Sequence, residues 1–232
     1  PRSSSAASDV YKRQILIKWT GQTNAFVTAK DMMLATCAKI GMGGGRYQAI
    51  QYAGEAIHKL NMQERMTMSN MAAELGAQAG LISPDETTIE YLKSVNASIP
   101  DNWKNFQIEK PDPKGEVINL DASSLSPQIA APHSPENSAD ADDFKNIRFD
   151  IAYIGACTGA KYTDLMAAAS ILKTKKVSPN VCLKVAPASL RDQQRAEKEG
   201  LMSILEAAGA EFLPNSCGIC AGYGSDRLLE EQ

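Results

Sequence analysis

The chain has 232 residues, 44% of them apolar and 22% charged, the mix of a globular protein with material for one large domain or two smaller ones. Its net charge of -3 supplies no basic field for nucleic acid or an anionic membrane, and no apolar run approaches the roughly 18 residues of a spanning helix. Five cysteines, an odd number, are too few for a disulfide scaffold in a chain of this length, which points to a reducing cytoplasm.

In chain order, the segment SSAASDVYKRQ resembles the translation of a sequencing adapter, so residues 1–14 are expected to be a non-native tail and the chain an internal piece of a longer protein. Thr28 with Asp31 three residues on is a capping-box start for a helix that Gly41 ends. GMGGGR is a turn; it lacks the G-x-x-x-x-G-K-[ST] pattern of a phosphate loop. YQAIQYAGEAIHKL repeats the helical period, and ERMTMSNMAAELGAQAG predicts a third helix ending near Gly80. A fourth starts at SPDE, with Ser83 as N-cap and Pro84 in the first helical position. This first domain, residues 15–98, reads as mostly helical.

Residues 99–115, rich in Pro and turn formers, read as a linker to a second domain, residues 116–232. EVINLDA is a short strand, and the Pro/Asn/Asp-rich stretch after it reads as irregular. FDIAYIGAC, VCLKVAPAS and AEFL read as strands, separated by the helices KYTDLMAAASILK and SLRDQQRAEKEGLMSILEAAG. Such alternation predicts a parallel sheet, with ligands bound beyond the carboxyl ends of its strands.

That topology gives the cysteines an address. Cys37 shares a helix face with Met33 and Ile40, and Cys182 lies inside a strand; both are expected in the core. Cys157, in GACTGAK, and Cys217 with Cys220, in NSCGICAG, follow strand ends in glycine-bearing loops that let backbone approach a bulky centre. A redox dithiol would use only the C-x-x-C pair and leave Cys157 without a role. A zinc-binding structural module would lack a fourth ligand, since neither histidine has ligand-like spacing to the thiols. Three thiolates suit a [4Fe–4S] cluster with one open iron, which can act as a Lewis acid on a hydroxyl.

YIGACTGAKYTDLMAAASILK resembles the segment that carries the first cluster cysteine of the aconitase and isopropylmalate dehydratase family, and AEKEGLMSILEAAGAEFLPNSCGIC resembles its C-x-x-C segment. TAKDMMLATCAKIG and MSNMAAELGAQAGLISPDE are similar to its preceding domain, so the likeness covers nearly all of residues 15–224. The resemblance implies an aconitase-like α/β fold: a parallel-sheet domain carrying the cluster cysteines, preceded by a largely helical α/β domain. It implies Cys157, Cys217 and Cys220 as ligands of a [4Fe–4S] cluster, and a hydro-lyase acting on a small hydroxy di- or tricarboxylate. It also implies a small swivelling-domain subunit, which carries the serine base, as partner, so the isolated chain is expected to be inactive. Nucleic acid and membrane are not expected partners; a non-catalytic iron- or redox-responsive cluster protein is the alternative.

Asn70 and Glu74 are four apart, which a helix would set on one face; spacing alone fits a solvated face equally. In the family the N-M-x-x-E segment sits beside the open iron, so the resemblance implies that Glu74 moves a proton and Asn70 orients the bound hydroxyl. Ala156 and Gly159 depart from the family's usual Ser and Asn around the first cysteine, removing polar groups near the cluster. His58, His133, Arg191 and Arg195 read as structural or solvated.

Overall fold

The computed structural model describes residues 14–107 and 115–223. The expected non-native tail, apart from Gln14, lies outside those residues, as does much of the expected linker. The chain forms two compact units, Pro1–Lys145 and Asn146–Gln232. Among the described residues no helix is long and apolar enough to cross a membrane.

The first unit holds more sheet than its sequence suggests. Its strands β1 (Gln14–Thr20), β2 (Ala49–Ala53), β3 (Ala79–Ile82) and β4 (Val117–Asp121) pair in parallel in the order β3-β2-β1-β4. Ile15, Leu16, Ile17 and Trp19 of the inner strand β1 are all buried, so both of its faces are covered, as is usual for a parallel sheet. The helix expected across residues 47–60 is β2 followed by the short α2 (Glu55–Lys59), because Ile50, Gln51 and Tyr52 are consecutively buried and only a strand inside a sheet hides successive residues on opposite faces. The division between units also differs from the expected linker. β4 pairs with β1, and the first unit extends to Lys145.

Local chemistry explains the helix ends. In α1 (Ala29–Ile40) the capping box forms as expected: the Thr28 backbone N–H donates to Asp31 Oδ2 at 2.7 Å. Asp31 Oδ1 accepts from the Gln128 backbone N–H at 2.8 Å, tying α1 to β5 (Gln128–Ala130), which pairs antiparallel with β6 (Ser138–Asp140) in a stretch whose composition reads as irregular. Helix α3 (Met62–Asn70) stops short of the expected end near Gly80; a 3-10 turn, Ala73–Leu75, follows, and Gly76 at φ 69° redirects the chain into β3. The N-cap of α4 (Glu86–Ser94) is Asp85 rather than Ser83. Asp85 also receives the buried Arg65 guanidinium in a two-pronged pair at 2.6 and 2.8 Å, which holds its carboxyl below the ordinary range.

In the second unit β7 (Ile151–Gly155) leads into the short α5 (Ala156–Gly159) and then α6 (Tyr162–Leu172). β8 (Cys182–Ala186), α7 (Leu190–Lys198), α8 (Leu201–Ala208) and β9 (Ala210–Phe212) complete a parallel sheet of order β7-β8-β9. In place of the one long helix expected at residues 189–209 there are two, because Gly200, left-handed at φ 74°, breaks it. Ile154, Leu183, Val185 and Phe212 face a core made with Leu165, Ala169 and Leu205. On alternate positions Tyr153, Lys184 and Glu211 lie in register across the three strands, the last two ion-paired at 3.4 Å. Cys182, expected in the core, is exposed: it opens β8 opposite Ile151, on the alternation of the Lys184 face rather than that of buried Leu183.

Candidate functional site

All the strands of the second sheet run the same way, so the residues after β7 and after β9 leave from the same edge. β7 delivers Cys157. Between them Ala156 takes a left-handed φ of 58°, a conformation costly for a residue with a Cβ, so the chain turns sharply from strand to helix and leaves the thiol exposed. β9 delivers the other two. Leu213 N–H donates to Val185 O at 2.8 Å and Asn215 Nδ2 to Pro187 O at 3.0 Å, which moors the segment before it turns. Cys217 caps and Cys220 lies within the 3-10 turn Gly218–Ala221, which Cys220 N–H on Cys217 O closes at 2.8 Å, with left-handed glycine at 218 and 222.

The three thiols are exposed and none is in a disulfide, and all three act electrostatically on one group. The Tyr153 hydroxyl is pushed above its ordinary pKa first by burial and then by Cys220, Cys217 and Cys157. Its oxygen is enclosed, with no hydrogen-bond partner among the described residues. Among the described residues no three His, Cys, Asp or Glu side chains are gathered into a metal-holding group. The donor set nevertheless fits one: three accessible thiols, two of them on a turn with left-handed glycines, since the binding energy of a metal centre is what gathers repelling thiolates. Neither Tyr153 nor Lys161 stands out in the sequence. Lys161 is buried at 5% exposure, and its ammonium donates to the Cys157 carbonyl, fixing the turn that carries the thiol. A lysine inside GACTGAK gives no hint of burial, and that Tyr153 shares a face of β7 with Gly155 follows from strand alternation only once the strand's bounds are known.

The carboxylate candidate lies in the first unit. Asn70 is exposed at the last position of α3, and Glu74 belongs to the 3-10 turn beyond, so one continuous helix face does not carry both. Glu74 is half-buried, and its Oε2 is enclosed without a partner among the described residues. Burial raises its pKa, with Lys30 pulling the other way. The Cys37 thiol, fully buried as expected, is pushed up to about 11 by burial and by Glu74. The enclosed Tyr52 hydroxyl, likewise without a partner among the described residues, is raised by burial, Cys37 and Glu74. A desolvated carboxyl with a raised pKa is a candidate for proton transfer.

The glycine run of residues 43–45 turns out to buttress this turn. Gly45 N–H donates to Leu75 O at 2.7 Å and Tyr47 N–H to Gly76 O at 2.9 Å. A Cβ on Gly45 would lie 2.7 Å from Leu75 O and from Ala77 N, so the approach needs glycine. Of the residues read as structural, His58 lies in the last turn of α2, 3.6 Å from Asp85. His133 sits in the β5–β6 turn at φ 82°. Arg195 stacks 3.6 Å over the Tyr162 ring and bonds Glu199 at 3.2 Å.

The family model for aconitase (aconitate hydratase) matches residues 6–146 and 138–232. The chain is 41% identical over 209 residues to 3-isopropylmalate dehydratase large subunit 1 of Archaeoglobus fulgidus, a match covering 90% of this chain and 49% of the relative. It is 42% identical over 202 residues to the 3-isopropylmalate dehydratase large subunit of Hydrogenobaculum sp., covering 87% and 47%. Against the large subunit 1 of Pyrococcus furiosus the identity is 39% over 206 residues, covering 88% and 48%. The chain thus spans about half the length of the curated relatives it matches.

Proposed function

Because the chain belongs to the aconitase family, we propose that it is part of the large catalytic subunit of an iron–sulfur hydro-lyase of the 3-isopropylmalate dehydratase or homoaconitase type. The reaction is the dehydration and rehydration of a hydroxy di- or tricarboxylate in amino-acid biosynthesis, with a small swivelling-domain subunit as partner. The setting is the cytoplasm, where thiols stay reduced. Cys157, Cys217 and Cys220 hold a [4Fe–4S] cluster. Bound by three protein thiolates, such a cluster supplies a Lewis acid with one position open to a substrate oxygen.

The chain's own residues supply the rest. Lys161 holds the Cys157 turn and places a cation beside a thiolate-rich edge, lowering the cost of gathering negative charge. Glu74 is the proton carrier: burial raises its pKa toward the protonated form, in which it can supply a proton to a departing hydroxide and recover it on hydration. Asn70 offers an exposed amide for orientation.

The observation that carries the reading is the set of three exposed thiols, none in a disulfide, that follow strand ends on the carboxyl edge of one parallel sheet. The test is iron and sulfide content after anaerobic reconstitution of the full-length protein. Serine at 157, 217 or 220 is expected to lose the cluster or leave it incomplete, and serine at 37 or 182 to keep it. Parental iron and sulfide in any of the first three variants overturns the assignment.

A further inference from the structure

Tyr153 lies on the strand that delivers Cys157 and feels all three thiols electrostatically. Its hydroxyl oxygen is enclosed by protein and makes no hydrogen bond among the described residues. A buried hydroxyl left unpaired is costly, so a side chain in this position calls for a partner. The strand aims it. Tyr153 and Gly155 share a face of β7, and the Tyr153 ring lies so close over Gly155 that a Cβ there would fall within the ring and against its hydroxyl. The side chain therefore runs along the strand toward its carboxyl end, where Ala156 turns the chain and Cys157 emerges. Glycine at 155 is what leaves room for that path.

We propose that Tyr153 is a positioning residue for the cluster, its hydroxyl donating a hydrogen bond to a sulfur of the ligand set. The inference rests on the cysteine assignment above and deepens it. A phenol O–H is a donor that sulfur accepts, and hydrogen bonds to cluster sulfurs stabilise the more negative, reduced state and raise the reduction potential. Phenylalanine in its place keeps the ring over Gly155 and removes only the donor.

The experiment compares the full-length enzyme and Tyr153→Phe, both reconstituted anaerobically. Iron and sulfide are measured first, then the midpoint of one-electron reduction by an added titrant. A parent that binds no cluster sinks the cysteine assignment itself. With a loaded parent, the variant is expected to bind the same iron and sulfide while its one-electron reduction equilibrium falls about three- to tenfold. Tenfold corresponds to a midpoint lower by about 59 mV. An unchanged midpoint at equal loading overturns the inference, and so does a variant that loses loading, because a donor that tunes the cluster is dispensable for holding it. A measurement on the unsubstituted enzyme stands beside these. Electron–nuclear double resonance of the reduced cluster is expected to show an exchangeable proton coupling that disappears in D2O; its absence overturns the proposal without any variant.

Discussion

The two units treat their reactive groups in opposite ways. The first walls them in: Cys37 and Tyr52 are 0% and 1% exposed, and one Glu74 oxygen is sealed beside them. The second sets Cys157, Cys217 and Cys220 on turns beyond the strand ends, all exposed. The same residue type is thus a small hydrophobe in one unit and a ligand candidate in the other, and the difference is its place relative to a strand end. Burial raises the pKa of a thiol, whereas a ligand must be a thiolate within reach of a metal.

Alkylation in the reduced, metal-free chain tests that contrast most sharply. With a pKa of about 11, only about one Cys37 thiol in a thousand is ionised at pH 8, and burial blocks even that fraction. Cys157, Cys182, Cys217 and Cys220 are expected to react at least roughly a hundredfold faster than Cys37. Comparable rates would show that the first unit's core opens freely. Loading the cluster is then expected to protect the other three thiols and leave Cys182 reactive. Protection of Cys182 as well would show a change in the sheet rather than ligation.

Glu74 tests whether a walled-in group works. Glu74→Gln in the full-length enzyme with its partner subunit is expected to lower turnover by about a hundredfold or more, the contribution of a general acid–base group. Stability should move the other way. A carboxyl whose folded pKa is raised by burial is tolerated while protonated, and its ionisation weakens the fold as pH rises through that raised value. Glutamine removes the penalty, so the variant is expected to be at least as stable as the parent at pH 7. Asp85 has the opposite sign: Arg65 lowers its pKa, so its contribution is present above the ordinary carboxylate range and disappears as pH falls through the lowered value. Urea titrations between pH 3 and 8 check both, on the order of those reference pKa values. Turnover within about threefold of the parent would return Glu74 to a structural role.

Much of this is legible in the amino-acid sequence where local chemistry dominates. Thr28 with Asp31 marks the start of α1, and the alternation of strand and helix after Phe149 is enough to place three cysteines on one sheet edge. What escapes depends on the far side of a contact. Residues 49–53 show helical period in isolation, and their strand identity comes from β1 and β3 on either side. The N-cap passes from Ser83 to Asp85 because buried Arg65, twenty residues away, claims that carboxylate. Cys182 defies its core reading because which face of β8 the helices cover is set by Leu165 and Leu205, not by the strand itself.

The glycine run tests the buttress under Glu74. Gly45→Ala drives a methyl into Leu75 O and Ala77 N, and backbone on both sides must move; overpacking of this kind costs about 1–3 kcal/mol. Gly43→Ala meets nothing within 4 Å and is expected to fall within about 0.5 kcal/mol of the parent. Equal effects at the two positions would show that the turn is not held by this approach.

A small net effect is expected at Ala156, the strained residue of the second unit. Its φ of 58° carries a cost of about 1–2 kcal/mol that glycine would relieve. Two terms oppose the gain. The methyl is buried at 3% exposure, and one such group contributes about 0.8 kcal/mol. Glycine also gives up about 0.5–1 kcal/mol of backbone entropy on folding. The terms cancel within their spread, so Ala156→Gly is expected to change stability by less than about 1 kcal/mol, whereas Ala156→Val, β-branched at positive φ, has no offset and destabilises the unit. Denaturant midpoints of the two variants decide it. A valine tolerated as well as glycine would mean that the elbow before Cys157 is not left-handed, and the exposure of that thiol would need another cause.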